Sequence, residues 1–339
     1  MQLILPRLIA MDHPSVSEKR IFIQIASYRD PQLGPTIRDL IEQAAHPEQL
    51  RIGVCLQVNP NDEQTCGLPS LPGPQERQGA ELCCDLVSAT ASEGVCWARS
   101  RTQALWQGEP FTLQIDSHMR FARNWDQQLL ASWNRCNDPR AVLSCYPNGF
   151  QPPAVCDTAM LPVLAAHRFD QHGILRLQGI KRFKNPDALP EHPLPCAFIA
   201  AGMLFGPGSI IEAVLYDPQL YFYGEEISIA LRLWTHGFNF YNPDRLLIFH
   251  LYKHSGEKNV THWSDHTDWS QRNRTSIARI RALLKGEASA DPFGFGSARS
   301  LTTWQEWSGI DLQEQTISAT ALKGNFTAAP PATAAAAAG

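Results

Sequence analysis

Residues 21–58 read IFIQIASYRDPQLGPTIRDLIEQAAHPEQLRIGVCLQV, and this segment decides the fold class. Ile21 to Ser27 (IFIQIAS) is apolar and rich in β-branched residues, and Arg51 to Val58 (RIGVCLQV) follows the same pattern, which is typical of buried strands. Between them, Thr36 is predicted to cap a helix with apolar residues at helical spacing. The order strand, helix, strand favours a parallel sheet with right-handed crossovers.

The same patterns recur along the chain and predict an α/β fold with a central, mostly parallel sheet flanked by helices. Residues 59–80 are rich in Pro and Gly and predict a loop, and the chain from Tyr146 to residue 195 is predicted to be irregular. Further strands are predicted over 82–88, 111–115, 141–145 and 246–251, and helices after Gly94 and over 124–135, 225–235 and 271–284, the last being the final helix.

The 339 residues suit one large domain with appended segments, and a hydrophobic content of 44% is enough for a sizeable core. We divide the chain into a leader (1–19), the main domain (20–285), a C-terminal extension (286–327) and an Ala/Pro-rich tail (328–339), which we expect to be disordered. The net charge of −4 argues against a nucleic-acid-binding protein, which needs a clustered basic face.

Nine cysteines without CxxC spacing predict reduced thiols and therefore a cytoplasmic protein. The apolar run from Met1 to Ala10 is interrupted by Pro6 and Arg7 and is too short for a membrane-spanning helix. No other apolar run reaches spanning length, so we expect no membrane span.

The sharpest functional motif is Asp116-Ser117-His118, which directly follows the predicted strand FTLQI. Ligands of open α/β sheets bind at the carboxyl ends of strands, and residues two apart in an extended segment point to the same side. A carboxylate and an imidazole suit Mn²⁺ or a similar divalent ion, with phosphate oxygens completing the ligand set. The alternative interpretation is a turn Asp and a surface His.

Two other segments carry candidate donor contacts. Arg99, near the start of a predicted helix, is placed to brace Asp116 or to reach a diphosphate with its fork of donors, although an exposed helix arginine is the simpler alternative. Ser27-Tyr28-Arg29-Asp30 follows the first strand. There Tyr28 is predicted to stack on a base and Asp30 to accept a hydrogen bond from it, the alternative being turn chemistry before Pro31.

Glu225 and Glu226 follow an aromatic run and begin a predicted helix. Acidic residues at a helix start are favoured by the helix dipole alone, whereas the functional interpretation places one carboxylate against the transferred sugar or the acceptor hydroxyl. His250 lies in an apolar strand, where a satisfied core histidine is the simpler alternative to a ligand. The sequence contains no GxSxG, P-loop or Rossmann glycine motif.

Together these motifs resemble the cytoplasmic GlcNAc transferases that modify hydroxyproline (glycosyltransferase family 60), over about Ile21 to Lys253. More distantly, the sequence is similar to the mucin-type polypeptide GalNAc transferases, whose DxH motif and later His hold Mn²⁺. The motifs that carry the resemblance are IFIQIASYRDP, RIGVCLQV, WARS, LQIDSHMRF with Trp125-Asp126, AAGMLFGPGS, FYGEEISIALRLWTHGF and FHLYK.

The resemblance implies a GT-A-type fold and retaining transfer of a sugar, GlcNAc, from a UDP-sugar to an acceptor hydroxyl of a protein or glycan. It implies Mn²⁺ or Mg²⁺ bound by Asp116, His118 and His250, and Glu225 or Glu226 facing sugar and acceptor. The implied donor contacts are Ser27, Tyr28, Arg29, Asp30, Arg99, Asp116 and Ser117.

Two other functions stay open at this point. A metal-dependent hydrolase also uses Asp/His sites, but it usually needs more ligands than this sequence offers. A non-catalytic carbohydrate-binding protein of the same fold would bind glycans without metal-dependent binding of UDP.

Overall fold

The computed structural model describes residues 20–151, 155–156 (backbone), 160–183, 188–252, 260, 262–285 and 292–332. The predicted leader (1–19), Lys253 of the FHLYK motif, the first part of the C-terminal extension (286–291) and the end of the tail (333–339) lie outside the described residues.

Strands account for much of the described chain. They are β1 (Ile21–Tyr28), β2 (Leu50–Val58), β3 (Glu81–Ser88), β4 (Phe111–Ile115), β5 (Met119–Phe121), β6 (Ala141–Ser144), β7 (Asn148–Gln151), β8 (Val155–Cys156), β9 (Leu161–Phe169), β10 (Leu175–Phe183), β11 (Leu194–Cys196), β12 (Met203–Pro207), β13 (Asn239–Asn242), β14 (Ile248–His250), β15 (Ile310–Asp311) and β16 (Thr316–Ile317).

The α-helices range from a single turn to 16 residues. They are α1 (Leu33–Glu42), α2 (Glu63–Cys66), α3 (Val95–Gln103), α4 (Trp125–Asn134), α5 (Ser209–Ala213), α6 (Glu225–Thr235), α7 (His262–Asp265), α8 (Trp269–Leu284), α9 (Leu301–Ser308) and α10 (Ala319–Lys323). Among the described residues, no helix combines the length and apolar composition that a membrane span requires.

The main sheet has eight strands in the order β11-β13-β6-β12-β4-β1-β2-β3. β1 lies between β4 and β2 and is parallel to both, while β12 is antiparallel to β4 and β6. Two apolar clusters fill the interior: one packs α1 and α4 onto the sheet, and the other packs α6, α8 and α9. The predicted α/β class with a central, mostly parallel sheet is confirmed.

His250 belongs to a second, four-stranded sheet with the order β5-β14-β7-β8. The predicted strand over 246–251 is shortened to β14, which runs antiparallel to β5 with His250 opposite Met119. Since β5 begins directly after His118, this pairing brings two distant histidines to the same place.

The prediction of irregular chain from Tyr146 to residue 195 was wrong, because this stretch contains the β9–β10 hairpin. The first six residues of β9 are all buried, but Pro162, Ala165 and Ala166 are poor strand formers, so the segment lacks the β-branched signal of β1. A turn with Gly173 at φ 73° closes the hairpin. The helix ending at Leu284 is also not the last, since α9 and α10 follow it.

Thr36 is not a helix cap, contrary to the prediction, because α1 begins at Leu33 with Gln32 before it. Thr36 lies on the buried face of α1, where its hydroxyl donates to the Ser117 carbonyl at 2.8 Å and accepts from the Met119 amide at 2.9 Å. The helix thus holds the loop that connects β4 to β5.

The Thr36→Val variant should be less stable than the wild type by about 1–3 kcal/mol, because the buried Met119 amide loses its acceptor while the side-chain volume is kept. Urea unfolding followed by circular dichroism measures the difference. Thr320→Val, at an exposed position of α10, is the control and should change the free energy of unfolding by less than about 0.5 kcal/mol. Equal stability of Thr36→Val and wild type would contradict the assigned role.

Candidate metal and donor-binding site

The candidate site lies where β1 and β4 end side by side. The two strands are parallel, with Ile25 opposite Ile115, so the residues after them emerge at the same edge of the sheet. Asp30 follows β1, and Asp116 to His118 follow β4. The β5–β14 pairing adds His250 to this edge.

Asp116, His118 and His250 form a group that could hold a metal ion, with ligand atoms all within 4.8 Å of one another. The His250 Nε2 atom lies 3.3 Å from Asp116 Oδ2 and 3.1 Å from His118 Nε2. The two rings meet edge to face with centroids 4.6 Å apart. Two imidazole nitrogens and a carboxylate oxygen that converge in this way form a ligand set suited to Zn²⁺, Mn²⁺ or a similar divalent ion.

Asp30 fixes the orientation of this group from behind. Its carboxylate accepts from Ser117 Oγ at 2.6 Å and from His118 Nδ1 at 2.7 Å. Burial alone would raise the pKa of Asp30, but the bonds from His118 and Ser117 lower it, so the carboxylate is ionised and can only accept. The hydrogen of His118 therefore lies on Nδ1, and Nε2 faces His250, as in carboxylate–histidine–metal arrangements.

Arg99, on α3, lies between two carboxylates. Its Nη2 atom is 3.2 Å from Asp116 Oδ1, and its Nη1 atom forms an ion pair with Glu225. Burial would raise the pKa of Asp116, but the hydrogen bond with His250 and the charge of Arg99 hold it well below its usual range. Of the two roles considered for Arg99, the contact with Asp116 is present in the structure.

Gly202 allows Asp116 to reach its position. A Cβ atom at residue 202 would lie 2.8 Å from Asp116 Oδ2, closer than nonbonded atoms approach. Sequence reasoning missed this glycine, although it stands in the quoted AAGMLFGPGS motif.

A cavity of about 280 Å³ opens beside Asp116 and His250, and Glu225 and Glu226 also line it. The Glu226 carboxylate accepts from Tyr146 OH at 2.6 Å and from the Ala201 amide at 3.0 Å. Burial raises the pKa of Glu226 even though both bonds act in the other direction. The remaining residues of the lining include three that sequence reasoning missed, Tyr146, Arg176 and Tyr252.

The Ser27–Asp30 segment divides into buried and surface parts. Ser27 is fully buried within β1. Arg29 contacts Asp62 and Asp265, each at 2.5 Å, and the Tyr28 hydroxyl donates to Asp265 at 2.8 Å. Sequence reasoning missed both aspartates, since they lie far from β1 in the chain and no motif marks them.

The Glu225→Ala variant should be destabilised by about 3 kcal/mol, because the buried guanidinium of Arg99 loses one of its two carboxylate partners. Glu76→Ala is the matched control, since it breaks the exposed Arg38–Glu76 ion pair and should cost much less stability than Glu225→Ala. Urea unfolding at neutral pH measures both. Similar losses in the two variants would show that the Arg99–Glu225 pair contributes no more than a surface pair.

Comparison with known proteins gives a family and a fold. The sequence profile of the Glycosyltransferase (GlcNAc) family matches residues 20–89 and 73–314, which is more than half of the chain. No curated protein sequence matches the chain.

Among solved structures, GalNAc-T7 with UDP, GalNAc and Mn²⁺ superposes with a TM-score of 0.51 at 14% identity, over 85% of this chain and 54% of that chain. The chain thus spans about half the length of that structure. S. aureus TarS 1–349 in complex with UDP-GlcNAc gives a TM-score of 0.44 at 10% identity, over 86% of this chain and 79% of that chain. The likeness to GalNAc-T7 agrees with the predicted GT-A-type fold.

Proposed function

The chain belongs to the Glycosyltransferase (GlcNAc) family, and from this premise we propose that it transfers N-acetylglucosamine from UDP-GlcNAc to an acceptor hydroxyl with retention at the anomeric carbon. The observation that carries the proposal is the Asp116, His118 and His250 group, of which Asp116 and His250 line a cavity that Glu225 and Glu226 also line. The acceptor hydroxyl belongs to a protein, such as one with hydroxyproline, or to a glycan.

Asp116, His118 and His250 are the proposed ligands of Mn²⁺ or Mg²⁺. When bound, this ion would act as a Lewis acid that neutralises the charge developing on the departing UDP. The mixed nitrogen and oxygen ligand set favours Mn²⁺ over Mg²⁺, which prefers oxygen alone. GalNAc-T7, which shares the fold, was solved with Mn²⁺ and UDP.

The chain's own residues would bind and orient the donor. Asp30 is proposed to position His118, whose Nδ1 it binds, and Ser117 to position Asp30 through its hydroxyl, so both would act without contacting the base. Tyr28 and Arg29 are proposed to contact the nucleotide at the edge of the sheet, and Ser27 would support them from within β1. Arg99 holds Asp116 and adds a positive charge beside the diphosphate position.

The two glutamates take different parts in this proposal. Glu225 is bound to Arg99 and therefore balances its charge. Glu226 is held by Tyr146 and the Ala201 amide in the cavity wall, so its carboxylate is the better candidate to orient the sugar or the acceptor hydroxyl. Because these hydrogen bonds already hold the Glu226 carboxylate in place, it would not have to reorient during the reaction.

A reducing compartment such as the cytoplasm is the proposed place of action. The cysteines whose side chains are described are all free thiols, as predicted. Burial raises the pKa of several of them, Cys96 and Cys145 to about 12, so these thiols are poor nucleophiles and serve packing.

The wild type should bind UDP with Mn²⁺ and bind it at least about tenfold more weakly with a chelator, because the diphosphate would share the ion with the protein. The His250→Ala variant should show a similar loss, since one of the three ligands is removed. Isothermal titration calorimetry measures both, and a panel of nucleotide sugars with Mn²⁺, assayed for UDP release, should single out UDP-GlcNAc.

His192→Ala, at an exposed position, is the control and should bind UDP like the wild type. Equal UDP affinity with Mn²⁺ and with chelator would end the metal assignment. Binding of UDP-GlcNAc without transfer to any acceptor would favour a carbohydrate-binding protein, whereas release of free sugar as the sole product would favour a hydrolase.

Glu226→Gln should keep the UDP affinity of the wild type and reduce the transfer rate by about 10²–10⁴, because the amide cannot replace the carboxylate in accepting or orienting a proton. Calorimetry measures the first quantity and a UDP-release assay the second. Glu212→Gln, exposed on α5, is the matched control. If Glu226→Gln transfers sugar at the wild-type rate, Glu226 has no part in the reaction and only stabilises the start of α6.

A further inference from the structure

The cavity beside Asp116 and His250 contains a positive charge to which the proposed reaction gives no role, that of Arg176 on β10. Its guanidinium carbon lies 5.3 Å from the centre of the Tyr223 ring, which also lines the cavity. Within the described part of the chain, Arg176 makes no hydrogen bond or ion pair, and none of the buried polar atoms without a partner belongs to it. The guanidinium nitrogens are therefore open to solvent and able to bind a ligand.

The other charges of the cavity already have partners. Arg99 is bound to two carboxylates, Asp116 and Glu225. Each carboxylate oxygen of Glu226 accepts a hydrogen bond. Burial raises the pKa of Glu226, and the positive charge of Arg176 acts against that effect, so the guanidinium lies near this carboxyl. Arg176 is thus left to pair with an anion that the described residues do not supply.

A second arginine, Arg168 on β9, lies directly opposite Arg176 in the hairpin. Residues directly opposite in an antiparallel pair project from the same face with Cβ atoms about 4.5–5.5 Å apart, and like charges there are destabilising. Arg168 is exposed and also has no ion pair among the described residues. The register shifts next to this pair, between Arg176 and Leu177, an irregularity that often redirects side chains beside binding sites. Two arginines that face each other in this way indicate an anionic ligand.

We propose that the acceptor is a sugar that carries a carboxylate or phosphate group, and that Arg176, with Arg168 beside it, binds this group. The inference rests on the proposed transferase function. The planar guanidinium binds either group through two parallel hydrogen bonds. The N-acetylglucosamine of the donor has no charge and the diphosphate is assigned to the metal ligands, so an anion beside Glu226 belongs to the acceptor.

The size of the cavity favours a sugar over an acidic peptide. Glu226, which is proposed to orient the reacting hydroxyl, and Arg176 line the same cavity of about 280 Å³, a volume below the about 300–1,000 Å³ of pockets for drug-sized ligands. The hydroxyl and the anionic group are therefore only a few atoms apart. A uronic acid or a sugar phosphate carries both on one ring, whereas a peptide carries them on different residues and brings its backbone as well.

The test uses saturation-transfer NMR on the full chain with three probes that share one ring: methyl glucoside, its 6-phosphate and methyl glucuronide. Each is measured alone and with UDP and Mg²⁺, because UDP occupies the donor position and paramagnetic Mn²⁺ would broaden the signals. At least one charged probe should bind about tenfold more tightly than methyl glucoside. Arg176→Gln should remove this preference, and Arg176→Lys should keep part of it because the charge remains.

Arg168→Gln changes an exposed side chain and should weaken binding of the charged probe by about two- to threefold, which keeps the test valid if Arg176→Gln folds poorly. Arg123→Gln, also exposed and outside the cavity lining, is the matched control and should bind all three probes like the wild type. Calorimetry with Mn²⁺ should show UDP affinities of Arg176→Gln and wild type that differ by less than about twofold.

Equal Kd for charged and neutral probes in the wild type, or an unchanged preference in Arg176→Gln and Arg168→Gln, would overturn the inference. A large loss of UDP affinity in Arg176→Gln would also overturn it, because the arginine would then bind the donor diphosphate. So would binding of an Asp- and Thr-containing peptide, but of no charged glycoside, that depends on Arg176. Absence of metal-dependent UDP binding in the wild type would instead count against the transferase function, because the glycosides are also tested alone.

Discussion

The rest of the site depends on the hydrogen bonds that the buried carboxylate of Asp30 accepts. Parallel strands β1 and β4 end side by side, but their following loops would be free to diverge. Asp30 joins them, since it receives hydrogen bonds from both Ser117 and His118. Thr36 completes the connection from α1 by bonding the Ser117 carbonyl and the Met119 amide. The sequence separation of these residues explains why only the folded sheet can place His118 correctly.

The fold could be predicted from the sequence where each strand carries its own signal. β1, β2 and β4 are apolar runs bounded by turns, and they fix the parallel order and the edge at which ligands gather. The β9–β10 hairpin was missed, because β9 (LPVLAAHRF) contains a proline and two alanines where β1 has β-branched residues, and because part of its burial comes from α10, which is distant in the sequence. The hairpin contributes to the candidate site, since Arg176 of β10 lines the cavity beside Asp116 and His250.

The residues of the site also fall into some that the sequence predicts and others that only the structure reveals. Asp116, His118 and His250 were predicted as one group, and the structure brings them together. The sequence could not reveal that Tyr146 holds Glu226 or that Asp265 meets Arg29, since these contacts join residues 80 and 236 positions apart. No motif marks such partners, because a single hydroxyl or carboxylate on a loop has no periodicity or spacing of its own.

The start of α3 is held against the chain segment that leads into Glu225. The Val95 amide donates to the Tyr221 carbonyl at 2.9 Å, and a Cβ atom at Gly94 would lie 2.3 Å from that same oxygen. Gly94 has φ 115°, so a side chain here would be excluded by both space and backbone conformation. The helix that carries Arg99 is therefore held against the aromatic run that leads into Glu225, and the Arg99–Glu225 ion pair closes the same connection one turn later. Because Phe222 and Tyr223 of that run line the same cavity as Glu225 and Glu226, a shift of α3 would move the aromatic rings and the carboxylates together.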